Sequence, residues 1–123
     1  MPEQPKIQFT PAQAAAISAR GGSLLVSAAA GSGKTRVLTE RLMAYLTDAE
    51  NPVDIDRFLV ITYTRAAAAE LRSRILDGIY ARIASDPENR RLRRQVALCA
   101  RAEIGTIHSF CADFLRANCA ALA

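Results

Sequence analysis

Apolar positions along the chain recur in two rhythms. In residues 35–47, Leu38, Leu42 and Leu46 return at every fourth position, and in residues 65–83 so do Leu71, Ile75, Ile79 and Ile83. Side chains at that spacing share one helix face, so both stretches predict helices. The alanine run at 66–69 adds helix propensity and is expected to serve close helix packing. Two shorter runs have the other rhythm. SLLVS at 23–27 lies between Gly21-Gly22 and a glycine-rich loop, and FLVIT at 58–62 is almost wholly apolar. Both read as strands, the second as one buried on both faces.

The remaining elements follow from punctuation. Thr10-Pro11-Ala12-Gln13 has the form of a capping box with proline at the first helical position. Asn51-Pro52 marks a loop over 48–56, and Asp86-Pro87 opens a helix reaching about residue 102. A third short strand is expected at 103–107 and a final helix at 109–119. The order is then helix, strand, helix, strand, two helices, strand, helix. Such alternation implies parallel strands joined by helical crossovers, an α/β fold with a small parallel sheet flanked by helices. Three strands make a narrow sheet, so the chain is expected to be part of a larger domain.

Composition narrows the class. The chain has 123 residues, half of them hydrophobic, enough for one small packed domain. No apolar run approaches the roughly 20 residues that cross a bilayer. The N-terminus carries no apolar secretory core, so a cytoplasmic protein without a membrane partner is expected. Cys99, Cys111 and Cys119 are odd in number and irregular in spacing, which reads as buried, reduced thiols rather than a disulfide framework. His108 and Cys111 stand three apart, but a lone histidine without a Cys-x-x-Cys pair argues against zinc. The formal charge of +4 comes entirely from residues 61–123, where ten arginines face six acids. An arginine excess suits a polyanionic partner, and it also suits an ordinary solvated surface. Arg90, Arg91, Arg93 and Arg94 concentrate it, and both readings remain open for that cluster.

The sharpest chemical signal is Ala28-Ala29-Ala30-Gly31-Ser32-Gly33-Lys34-Thr35, placed after an apolar run and before a helix. That is the setting of a phosphate-binding loop. Glycines let the backbone approach phosphate, successive N–H groups form an anion nest, and the helix start adds positive potential. Lys34 is expected to reach the β- and γ-phosphates of ATP, and the Thr35 hydroxyl to ligate Mg²⁺. The strict pattern has glycine where this chain has Ala28. No apolar run ends in the acidic pair that hydrolysis also needs, so the segment is expected to bind nucleotide without turning it over well.

Three further segments turn a generic loop into a resemblance. They are Phe9-Thr10-Pro11-Ala12-Gln13, the stretch from Ile61-Thr62-Tyr63-Thr64-Arg65 through the alanines to Glu70-Leu71, and Ile104-Gly105-Thr106-Ile107-His108-Ser109-Phe110-Cys111. In this order and spacing they resemble the first motifs of superfamily 1 helicases of the UvrD/Rep type. SAAAGSGKT, the alanine block and IGTIHSFC are most similar to the AddA branch, the larger grouping being the AddAB (RexAB) helicase–nuclease of recombination repair. The likeness runs from Phe9 to about Leu115.

The resemblance implies roles. Gln13 would read the adenine edge, which a side-chain amide with one donor and one acceptor suits, although capping alone also explains it. Arg36 would pack its planar guanidinium on the adenine. Thr62, Tyr63, Thr64 and Arg65 would contact single-stranded DNA through hydroxyls, helix-start amides and a tyrosine ring, with tyrosine standing where the family often has phenylalanine. Thr106, His108, Ser109 and Phe110 would make a second DNA contact. A His108–Ser109 hydrolase dyad is rejected, since adjacent side chains at a helix start diverge.

By the same resemblance the chain is the N-terminal part (1–123) of motor domain 1A, a partial RecA-like P-loop NTPase domain. The parent would be an ATP-dependent DNA helicase/nuclease acting in double-strand-break repair and recombination. It would use ATP and Mg²⁺, move on single-stranded DNA, open duplex DNA ends, carry an exonuclease domain and pair with a second subunit of AddB/RexB type. The acidic magnesium motif, the arginine fingers and the second motor domain are expected after Ala123. Two rivals stand beside this: a small P-loop phosphotransferase with the 90–94 arginines as a crude lid, and a non-catalytic nucleotide-binding module.

Overall fold

A computed structural model describes residues 8–122 apart from 30 and 32. It contains helix α1 (Pro11–Ser18), helix α2 (Lys34–Leu46), a 3-10 turn at Ile55–Arg57, and strand β1 (Leu59–Thr62). Helices α3 (Arg65–Ser85) and α4 (Arg90–Cys99), strand β2 (Glu103–Thr106) and helix α5 (Ile107–Ala117) follow. The two strands pair in parallel, Leu59 opposite Glu103 and Thr62 opposite Thr106. This is the expected mixed helix and sheet architecture, with a parallel ladder bridged by helices.

Helix starts obey local rules. Thr10 and Gln13 form a reciprocal capping box, with Thr10 N–H donating to Gln13 Oε1 at 2.9 Å and Gln13 N–H to Thr10 Oγ1 at 3.2 Å. Thr64, Asn89 and Thr106 cap α3, α4 and α5 in the same sense, each accepting a backbone N–H through its side chain.

The core lies where α2, α3 and α4 cover the sheet. Met43 and Leu46 of α2, Ile75 and Ile79 of α3, Cys99 at the end of α4, and Ile55 in the 3-10 turn are all but inaccessible. Val60 and Ile104 carry the core onto the strands. Gly78 lets α2 and α3 approach, because a Cβ there would stand 3.1 Å from Met43 Sδ. A polar knot closes the far side. Gln95, fully buried, accepts the Ile55 N–H at 2.8 Å and donates to Asp54 Oδ1 at 2.8 Å. Arg91 joins Asp54 at 2.8 Å and also donates to the Leu46 carbonyl. Arg72 donates to the carbonyls of Cys99, Ala102 and Ile104, so one cation holds the turn into β2.

Several expectations are corrected. Residues 23–27 form no strand, and Leu24, Leu25 and Val26 are exposed; no described segment pairs with them. The sheet therefore has two described strands, not three. FLVIT is buried on one face only, since Leu59 and Ile61 are exposed while Val60 is buried. The helix expected to open at Asp86-Pro87 starts at Arg90 and ends at Cys99, because Asn89 and not Asp86 supplies the cap. In α2 the buried stripe is Val37, Leu42, Met43 and Leu46, and Leu38 turns outward. Of the alanine run only Ala68 is buried, so the other three serve helix propensity rather than packing. Cys99 is buried, but Cys111 and Cys119 are exposed on the last helix and the turn after it.

Candidate functional site

The loop before α2 takes its shape from glycine. Gly31 at φ +80° and Gly33 at φ +86° occupy the left-handed region, which other L-residues avoid. Gly33 is the N-cap of α2 and brings no side chain to cap it. Among the described helices α1, α3, α4 and α5 all have a capping side chain, so α2 alone opens with its first N–H groups uncapped from within. Such a helix start is suited to an anion. Lys34, Thr35 and Arg36 are exposed around it, as are Ala28, Ala29 and Gly31. Ala30 and Ser32 lie outside the described residues.

The expected adenine side is assembled beside the loop. Gln13 Nε2 stands 3.6 Å from where a Cβ on Gly33 would sit, so α1 delivers the amide to the end of the loop. The Gln13 carbonyl oxygen already serves the capping box. The Arg36 guanidinium lies 5.9 Å from the Phe9 ring centroid, an aromatic neighbour that sequence reasoning did not pair with it. Arg41 clamps this arrangement, donating to the carbonyls of Ala16 at 2.7 Å and Ala19 at 2.6 Å. It thereby ties the end of α1 to α2. Nothing in the sequence marks Arg41 for this, since a helix arginine ordinarily reads as solvated.

A cleft of about 210 Å³ runs from Thr35 to the end of β1, lined also by Leu38, Ile61, Thr62, Ala67, Glu70 and Leu71. The hydroxyls of Thr35 and Thr62 and the Glu70 carboxylate are hard oxygen donors of the kind Mg²⁺ takes. Glu70 is also paired with Arg74 at 2.9 Å. Among the described residues no group of three His, Cys, Asp or Glu side chains stands ready to hold a metal ion by itself. The donor set therefore fits an ion that keeps water and phosphate oxygens as further ligands, the usual way Mg²⁺ is bound.

A second, wider groove of about 600 Å³ lies at the C-terminal edge of the sheet. It gathers Tyr63, Arg65, Thr106, His108 and Ser109, five of the residues assigned to DNA contact, from two separate segments. The Tyr63 ring is fully exposed over it. Ala112, Asp113 and Arg116 complete the lining. These were missed, although 109, 112, 113 and 116 fall at helical spacing along one face of α5. Three assigned residues stand apart from the groove. Thr62 faces the Thr35 cleft, its hydroxyl donating to the Thr64 carbonyl at 3.0 Å. The Thr64 hydroxyl is engaged as the cap of α3. Phe110 lies 6.1 Å from the Phe114 ring and lines a separate cavity of about 250 Å³ with Arg72 and Gly105. Ser109 exchanges hydrogen bonds with Thr106, its Oγ accepting at 2.9 Å and its N–H donating at 3.2 Å, an arrangement independent of His108.

Residues 9–123 match the UvrD/REP helicase N-terminal domain family. Among individual proteins, the A-type subunit of the ATP-dependent helicase/nuclease of Moorella thermoacetica is 56% identical over 111 residues, 90% of this chain and 8% of that protein. The proteins of the same description from Thermoanaerobacter pseudethanolicus and Clostridium acetobutylicum are 53% identical over 111 residues and 50% over 113. The chain spans only 8% to 9% of the length of these curated relatives. Among the described residues no helix is long and apolar enough to cross a membrane.

Proposed function

This chain belongs to the UvrD/REP helicase N-terminal domain family, and we propose that it is the nucleotide- and DNA-contacting front of an AddA-type motor, the N-terminal part of motor domain 1A in a RecA-like fold. The observation that carries the reading is the convergence of two sites on one sheet edge. The Thr35 cleft and the Tyr63 groove meet at the end of β1, where Thr62 lines one and Tyr63 the other. A nucleotide at the loop and a strand in the groove would then press on opposite sides of one short segment. Ligands of open α/β sheets gather at this edge.

In this reading the loop amides and Lys34 hold the phosphates of ATP, Gln13 and Arg36 orient the adenine, and Thr35 contributes an oxygen to Mg²⁺. The ion neutralises phosphate charge when bound. Arg65 and Arg116 face the DNA backbone, and Tyr63 offers a stacking surface worth roughly 1–3 kcal/mol per base. The parent protein would use ATP and Mg²⁺ to move along single-stranded DNA and open duplex ends. It would carry a nuclease domain, pair with a second subunit of AddB/RexB type, and work in the cytoplasm in recombination repair.

The test is ATP hydrolysis by the full-length protein with and without single-stranded DNA, beside its Lys34→Ala variant. Strong stimulation by DNA that Lys34→Ala abolishes is the expected result. Turnover indifferent to DNA overturns the helicase reading and favours a phosphotransferase.

A further inference from the structure

The ten arginines of residues 61–123 do not behave alike. Arg72, Arg74, Arg82, Arg91 and Arg116 are each bonded to a carbonyl or a carboxylate. Arg90, Arg93 and Arg94 of α4, and Arg101 just beyond it, are exposed and have no carboxylate partner among the described residues. The three on α4 also share a face. Leu92, Gln95, Leu98 and Cys99 turn α4 into the core, and at 100° per residue positions 90, 93, 94 and 97 fall on the opposite side, with Arg101 following in the exposed turn after the helix. Ala97 is the one uncharged member of that face, and α4 contains no acid.

For the isolated fold this arrangement is unfavourable. Arg90, Arg93 and Arg94 crowd the N-terminal half of a helix, where the macrodipole already places positive potential. Arg90 repels both Arg93 and Arg94 across one turn. Arg91, at the same helix end, is neutralised by Asp54; the other three are left without compensation.

We propose that this face of α4 is a second nucleic-acid contact, which grips the phosphate backbone without reading sequence. Three features choose the partner. Arg90 opens α4, a helix about 15 Å long at 1.5 Å per residue, and Arg101 stands just past its end, so the row fits an extended polyanion rather than a single phosphate. Every cation in it is arginine, whose planar fork takes phosphate oxygens in pairs. The face lacks the large apolar residues that seat a helix on a lipid surface. It is also distinct from the Tyr63 groove. Arg90, Arg93 and Arg94 line none of it, and Arg101 enters only the neighbouring cavity, which borders the groove at Ser109 and Asp113. The inference builds on the DNA reading above but adds a different stretch of DNA, held by charge alone.

The experiment compares full-length protein with its Arg90→Gln, Arg93→Gln, Arg94→Gln, Arg101→Gln variant, titrating a random-sequence tailed duplex at several salt concentrations. Each lost phosphate contact lowers the slope of log affinity against log salt by about 0.9, so a fall of about 3 to 4 is expected. The thermal midpoint should hold or rise, because the variant removes self-repulsion. A separate Tyr63→Ala variant reports the groove through loss of stimulation by a short single strand. Intact stimulation with an unchanged salt slope overturns the α4 proposal and leaves the motor reading standing. An unchanged slope together with failure to hold the AddB-type partner gives the face to an acidic protein surface instead. A wild type that binds no DNA sinks both readings.

Discussion

Two apolar segments of nearly the same composition have opposite fates. LVIT at β1 pairs in register with β2 and buries Val60. LLV within residues 24–26 pairs with no described segment, and Leu25 is 90% exposed. The difference lies in the neighbours. A helix closes its hydrogen bonds within itself, whereas a strand leaves every N–H and C=O to be met by another strand. For β1 the chain supplies EIGT some forty residues on, delivered by α3 and α4 and pinned by Arg72. The lesson is that an apolar run states only a capacity for sheet, and the partner decides.

The largest effect that tests the contrast sets Ile75→Ala against Leu25→Ala. Ile75 is fully buried, so its truncation is expected to cost about 2–5 kcal/mol of stability in urea unfolding. Leu25→Ala is expected to stay within about 0.5 kcal/mol. Comparable losses at both sites would mean that residues 23–27 are packed in solution after all.

A smaller effect probes how the pairing is held. Gln95→Leu leaves the Ile55 N–H and one Asp54 contact without their buried partner, which should cost about 1–3 kcal/mol. The urea midpoint should fall while the far-ultraviolet spectrum stays helical. No change would show that the 3-10 turn before β1 does not depend on this knot.

Next comes Thr10→Ala, which removes one half of the capping box and should cost about 1 kcal/mol. It should also weaken nucleotide binding, since α1 carries Gln13 to the loop. A nucleotide affinity untouched by the loss of the cap would detach α1 from the site.

The smallest effect concerns alkaline pH. Burial raises the Cys99 thiol above its ordinary value, against an opposing pull from Arg72. The folded state thus holds the proton more tightly than the unfolded one. Its contribution is fully present below the ordinary thiol value and fades as pH climbs through the raised one. Stability should therefore decline at alkaline pH, less so in Cys99→Ala, and Cys111 and Cys119 should react with a thiol reagent well before Cys99. Equal reactivity of all three would show the core opening there.

Much of this was legible before any fold was known. The capping box at Thr10, the helices through Leu42 and Ile75, and the glycine-shaped loop before Lys34 all follow from short-range pattern or motif. The roles of Arg41, Arg72 and Gln95 did not, because each acts on backbone groups 22 to 40 residues away. A side chain's long-range carbonyl or amide partner leaves no periodicity to read.

By itself, then, the sequence determined what is local: the cap at Thr10, the apolar stripe of α3, where glycine bends the chain before α2, and how positive the second half is. Only the tertiary structure decided which apolar run finds a partner strand, which arginines are consumed as internal clamps, and which remain on the outer face of α4. The reason is the range of the interactions. Caps, propensities and turns act within about four residues, whereas sheet pairing and buried hydrogen bonds exist only once distant segments meet.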